Sequence, residues 1–136
     1  MATNVYLSNP TVTVNSVALT GFATAATLTR TNTASDTTVF GNTARVYSPT
    51  IEDNECTVTL YLTYAASETY ATLATLVGTT TTVVVKPTSA SASATNPGFT
   101  LTGTYLESLP VINAALGEIQ SIDITFKGGT YSAVVV

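Results

Sequence analysis

Polar and apolar positions alternate with a period of two along much of this chain, the mark of strands with one buried face. Cys56–Leu62 alternates most cleanly: Cys56, Val58, Leu60 and Leu62 point inward and Thr57, Thr59 and Tyr61 outward, which predicts a central strand. Thr11–Val14, an Asn15-Ser16 turn and Val17–Leu19 predict a small hairpin, with a short edge strand over Val5–Leu7 before it. Phe22–Arg30 predicts a strand with Phe22, Ala26 and Leu28 on one side. Thr79–Lys86 is rich in strand formers. Phe99–Tyr105 places Phe99, Leu101 and Tyr105 on one face, and Ile119–Lys127 does the same for Ile122, Ile124 and Phe126. Lys127-Gly128-Gly129-Thr130 predicts a hairpin turn into a closing strand, Tyr131–Val136, because glycine tolerates the positive φ of primed turns.

Only Ser67–Gly78 has a helical period, with Tyr70, Leu73, Ala74 and Val77 on one face. Ser67 is placed to cap the first turn, Glu68 to meet the positive end of the helix dipole, and Gly78 to stop the helix. Ser89–Thr95 is small and repetitive and reads as a flexible connector, followed by a turn at Asn96-Pro97-Gly98. Together these elements predict one all-β domain over 1–136 with one short α-helix, a β-sandwich or small barrel.

One stretch breaks the pattern. Thr31–Ser48 is long, polar and weakly periodic, yet it carries Val39, Phe40, Val46 and Tyr47. Loops of this length inside compact domains are uncommon and usually functional or disordered. Doubled back as a hairpin, about nine residues per side at about 3.3 Å each reach about 30 Å, enough to leave one subunit and lie on another. An arm that buries its aromatics elsewhere accounts for the mixture. Asp36, Val39, Phe40, Arg45 and Tyr47 are its candidate contact residues; Arg30 and Arg45 read first as surface charges and alternatively as partners of a neighbour's carboxylates.

Composition sharpens this picture. Charged residues make up 9% of the chain, against about a quarter in an ordinary soluble domain. A surface of Thr, Ala and Ser is poorly protected against strand association and suits a chain that packs on its own copies. The net charge of −4 opposes nucleic-acid binding through phosphate neutralisation. The lone Cys56 excludes an internal disulfide framework. The N-terminus has no signal-peptide pattern and no apolar run has the length of a membrane span, so synthesis in a cytoplasm is expected.

Candidate chemistry is sparse. With no His, acid–base work would fall to carboxylates, of which Glu52, Asp53 and Glu55 cluster and Glu107 lies near Pro110. Solvated strand-end charges are the simpler reading, ahead of a glycosidase pair or a calcium site at Asp53 and Glu55. The glycines lack phosphate-cradling spacing, and Cys56 on an inward face is a small hydrophobe. No cofactor and no enzyme activity are expected.

Several pieces in order resemble the tail tube (major tail) proteins of long-tailed bacteriophages. They are Asp36–Gly41, Pro49–Glu52 running into the Cys56–Leu62 strand, Asn96–Thr100, Tyr105–Ile112 and Gly117–Phe126. The resemblance implies a structural virion protein of the tail, made in the host cytoplasm, with a helix flanking a β-sandwich or barrel. It implies hexameric rings stacked into a tube, other tail proteins at the tube ends, and DNA that passes through the lumen without specific binding. Thr31–Ser48 becomes the loop that reaches the next ring. A ring of six such chains carries about −24 formal charge, which repels DNA rather than holding it. Two other readings compete: a capsid decoration or other virion β-protein, and a carbohydrate-binding or adhesive β-sandwich module. The last lacks the Trp platforms expected of it.

Overall fold

The structure is a computed structural model that describes residues 10–94 and 96–134. The edge strand expected over Val5–Leu7 lies outside the described residues. Among the described residues eight strands form one sheet: β1 (Thr11–Val14), β2 (Val17–Ala18), β3 (Ala23–Asp36), β4 (Tyr47–Tyr61), β5 (Thr80–Lys86), β6 (Gly98–Leu106), β7 (Ser121–Lys127) and β8 (Thr130–Val134). Their order is β2-β1-β5-β6-β7-β4-β3, with β8 also on β6, and every pairing is antiparallel. One short helix, α1 (Thr69–Leu73), completes the all-β fold, and the sheet is not closed.

The predicted alternation becomes the core. Cys56, Val58, Leu60 and Leu62 are buried, as are Ile122, Ile124 and Phe126 opposite them on β7. Val12, Val14, Val83 and Leu101 from the other half of the sheet join the same cluster. The Asn15-Ser16 turn forms as expected, with both residues at positive φ, the requirement of a tight two-residue hairpin.

The glycines at 128 and 129 do not make a hairpin. Lys127 pairs with Tyr105, and Thr130 pairs with Thr102 further along the same strand, so β7 and β8 are one course interrupted by a kink. This course leaves β4 and continues along β6, the kind of bend by which a strand switches layers. Gly129 sits at φ +94, and a Cβ there would lie 2.9 Å from the Thr102 carbonyl oxygen and 3.0 Å from the Thr104 nitrogen. Gly129 is glycine because two backbones meet there and Gly128 because its φ is +72, not because a chain turns back.

A second bulge corrects the face of Tyr105. Thr81 pairs with Thr104 and Thr82 with Thr102, leaving Gly103 as the extra residue at φ +73. The inserted residue reverses the alternation, so Thr104 and Leu106 turn inward and Tyr105 turns to the surface.

The helix is shorter than its period suggested. Ser67 is at positive φ and does not cap it; Glu68 stands at the cap without a side-chain hydrogen bond. The buried Thr69 hydroxyl instead donates to the Tyr61 carbonyl at 2.8 Å, hooking the helix to the end of β4. Beyond Leu73 the chain tightens into three-residue turns, Leu76 to Leu73 and Thr79 to Leu76, so Thr69, Leu73 and Leu76 face the core while Ala74 and Val77 are exposed. Nor is the stretch after β5 a loose connector. The buried Asn96 side chain donates to the Ala90 and Ser91 carbonyls at 2.8 and 3.2 Å and accepts from the Thr88 amide at 3.0 Å.

Candidate functional site

The stretch Thr31–Ser48 does double back. β3 continues through Thr31 to Asp36, and β4 begins at Tyr47, paired to Asp36. The two strands share one ribbon, but β7 accompanies β4 only from Glu55 to Tyr61. Beyond that point the ribbon leaves the body, and its strands alone project about 20 Å at about 3.3 Å per residue. A free two-stranded ribbon is marginal in water, so its base and tip need fixing.

The base is clamped by Asn54, buried on the inward series that continues to Cys56. Its Nδ2 donates to the Gly129 carbonyl at 3.0 Å, and its own carbonyl accepts from the Gly128 amide at 2.7 Å. Beside it, Arg30 Nε donates to Glu52 Oε1 at 2.6 Å, and its guanidinium lies 4.8 Å over the Tyr131 ring. The carboxylate raises the Arg30 pKa, and the guanidinium hydrogen bond lowers that of Glu52. Midway, β4 carries an extra residue where Asn32 pairs with Glu52 and Ala34 with Pro49. The Thr50 amide freed there donates to Asn32 Oδ1 at 3.0 Å, and its hydroxyl to the Thr33 carbonyl at 2.7 Å.

At the tip, Asp36 accepts from the Thr38 hydroxyl at 2.6 Å, the Thr38 amide at 3.0 Å and Arg45 Nη1 at 2.6 Å. The Thr38 contacts are the main reason the Asp36 pKa is lowered. Val39 donates its amide to Asn42 Oδ1 at 2.9 Å, folding the turn. The polar side chains thus hold the tip together, while the apolar ones face outward. Phe40 is 107% exposed, Ile51 is 88% exposed, and Val39 and Tyr47 are exposed as well.

The five arm residues singled out from the sequence therefore lie together at or beside the tip. Within the chain, Phe40 and Tyr47 do not return to their own core. Within the chain, Arg30 and Arg45 pair with Glu52 and Asp36 of their own arm, because the hairpin register sets them side by side. Asn54 escaped the sequence reading, although the period of two running back from Cys56 points to it.

The carboxylates form no reactive cluster. Glu107 pairs with Lys127 at 2.7 Å, which lowers its pKa, and strand alternation separates Glu52 from Asp53. Among the described residues no three His, Cys, Asp or Glu side chains are grouped to hold a metal ion. Burial pushes the Cys56 thiol up to about 12.

No protein-family model and no curated protein matches the sequence. Solved structures share its fold. A chain of the anti-feeding prophage baseplate, in a six-fold symmetrised structure, aligns with a TM-score of 0.63 at 12% identity, covering 100% of this chain and 99% of that one. A chain from the cap that terminates the tube of the anti-feeding prophage aligns with a TM-score of 0.66 at 12% identity, covering 100% and 94%. This chain therefore has, over its whole length, a fold found in two parts of the anti-feeding prophage.

Proposed function

We propose that this chain is a structural subunit of a phage-type tail, whose copies form hexameric rings stacked into a tube that conducts DNA during ejection. The observation that carries the reading is the arm: an ordered ribbon, pinned by its own polar groups, that holds Phe40, Val39 and Ile51 away from any core of its own. Large exposed apolar groups in such a setting mark an interaction surface. The fold shared along its whole length with anti-feeding prophage baseplate and cap chains supports the same reading. An acidic chain of net charge −4 suits a lumen that lets DNA slide. The tail of the virion is then its location, after synthesis in the host cytoplasm.

Electron microscopy of the purified protein tests this: rings or tubes with a central bore are expected, and a monomer or trimer at high concentration overturns it. Deleting Asp36–Arg45 leaves a folded monomer that no longer grows tubes. A second reading, a subunit of a terminal ring, is favoured by the two neighbours, which come from a baseplate and a tube-terminating cap. It predicts single rings in place of long tubes.

A further inference from the structure

The arm has a counterpart at the other pole of the molecule. Residues 107–120 join β6 to β7, and β7 starts at Ser121, paired to Tyr61 at the end of β4 farthest from the arm. Like the arm tip, the loop joins polar groups that bond within the chain to apolar groups that are exposed. Exposed polar groups hold it: the hydroxyl of Tyr64, from the segment after β4, donates to the Val111 carbonyl at 2.9 Å, and the Asn113 amide donates to Gln120 Oε1 at 3.1 Å. Asn113 Nδ2 donates to the Ser121 carbonyl at 2.6 Å. Its apolar groups face solvent, with Leu116 105% exposed, Ile119 78% exposed and Ile112 exposed beside them. A loop that spends its polar side chains on its own shape and leaves its leucine outside is preorganised for a partner.

We propose that this loop is the seat for the arm tip of a second copy, with Phe40 and Val39 packing on Ile112, Leu116 and Ile119. The proposal rests on the assembly reading above and names the partner surface of that arm. The arm projects along the strand axis away from its own seat, so a copy advanced along that axis presents its seat to the tip. Such a contact joins unlike surfaces and propagates head to tail. The charges agree. The seat carries Glu118, which makes no ion pair among the described residues, and Arg45 at the tip uses one of its five N–H donors on Asp36.

Disulfide trapping tests the seat. The double variant Phe40→Cys, Leu116→Cys, assembled and then oxidised, is expected to give a ladder of covalent multimers on a non-reducing gel. Mixing the two single variants is expected to stop at dimers. The native Cys56 is buried and stays out of the reaction. A second variant, Leu116→Asp, is expected to unfold at the wild-type temperature but to raise the concentration needed for assembly tenfold or more, since burying a leucine is worth at least one decade. Rings or tubes of wild-type protein without a ladder from the double variant overturn the seat and leave the assembly reading standing. Closed dimers alone from the double variant overturn the head-to-tail geometry. A wild-type chain that never assembles overturns both.

Discussion

The strand β4 crosses two environments in one run of fifteen residues, Tyr47–Tyr61. From Glu55 to Leu60 it has a strand on each side, and each inward residue from Asn54 onward is buried. From Tyr47 to Asp53 it has β3 alone, and no residue is buried. The pairing of β3 with β4 runs through both parts with one register shift in each, so the backbone does not distinguish them. The covering layer does. In the body, apolar side chains supply the stability and hydroxyls fill the outer face. In the arm, Asn32, Thr33, Thr50 and the Arg30–Glu52 pair hold the shape, and the apolar side chains are left over. The same pairing geometry thus serves folding in one half and is free to serve association in the other.

Replacing Leu60 by Ala tests the body half and carries the largest expected effect. Leu60 is fully buried between β3 and β7, and its truncation is expected to cost about 2–5 kcal/mol in chemical denaturation. A loss under 1 kcal/mol would mean that the inward face of β4 is not the centre of the core.

Gly129→Ala tests the joint between the halves. The added methyl meets the Thr102 carbonyl and the Thr104 backbone, and the residue is held at φ +94. A cost of about 1–3 kcal/mol is expected, the size of a strained backbone conformation. Because Asn54 bonds to the carbonyl of Gly129, hydrogen exchange at the base of the arm is expected to speed up as well. Unchanged stability would show that the bend yields easily and does not define the position of the arm.

The sequence exposed the body half well. Periodicity depends only on which residues face the core, so Cys56–Leu62 and Ile122–Phe126 were legible directly. What it hid were the places where the period is broken by one residue. Gly103 reverses the face of Tyr105, and Gly128-Gly129 looks like a hairpin turn although it continues a strand, since glycine signals positive φ without saying whether the chain reverses. The partners of buried polar residues were hidden too: Asn54 bonds to the Gly129 carbonyl 75 residues away, and Asn96 to the Ala90 carbonyl within a stretch that has no period. For the arm, the mixture of polar and aromatic residues was readable, but the internal pairing of Arg45 with Asp36 depends on the hairpin register, which a weakly periodic stretch does not specify. At the opposite pole, the strand expected from Ile119 starts only at Ser121, and Leu116 and Ile119 look like core residues until their side chains are seen outside.

Ile51→Ala carries the smallest effect on folding and decides the comparison most sharply. Ile51 lies on the same strand as Leu60, next to the extra residue of the ribbon, and is 88% exposed. Nothing of its own chain covers it, so truncation opens no cavity. The remaining cost is the lower strand preference of Ala against a β-branched residue, and at a solvent-facing site unfolding free energy is expected to stay within about 0.5 kcal/mol of wild type. The same cut therefore costs several kcal/mol at one end of β4 and almost nothing at the other. If Ile51→Ala instead destabilises the isolated chain by more than about 1 kcal/mol, the ribbon unfolds as part of the core, and its apolar residues serve the subunit itself. If stability is kept while assembly weakens, those side chains are held for the contact between copies.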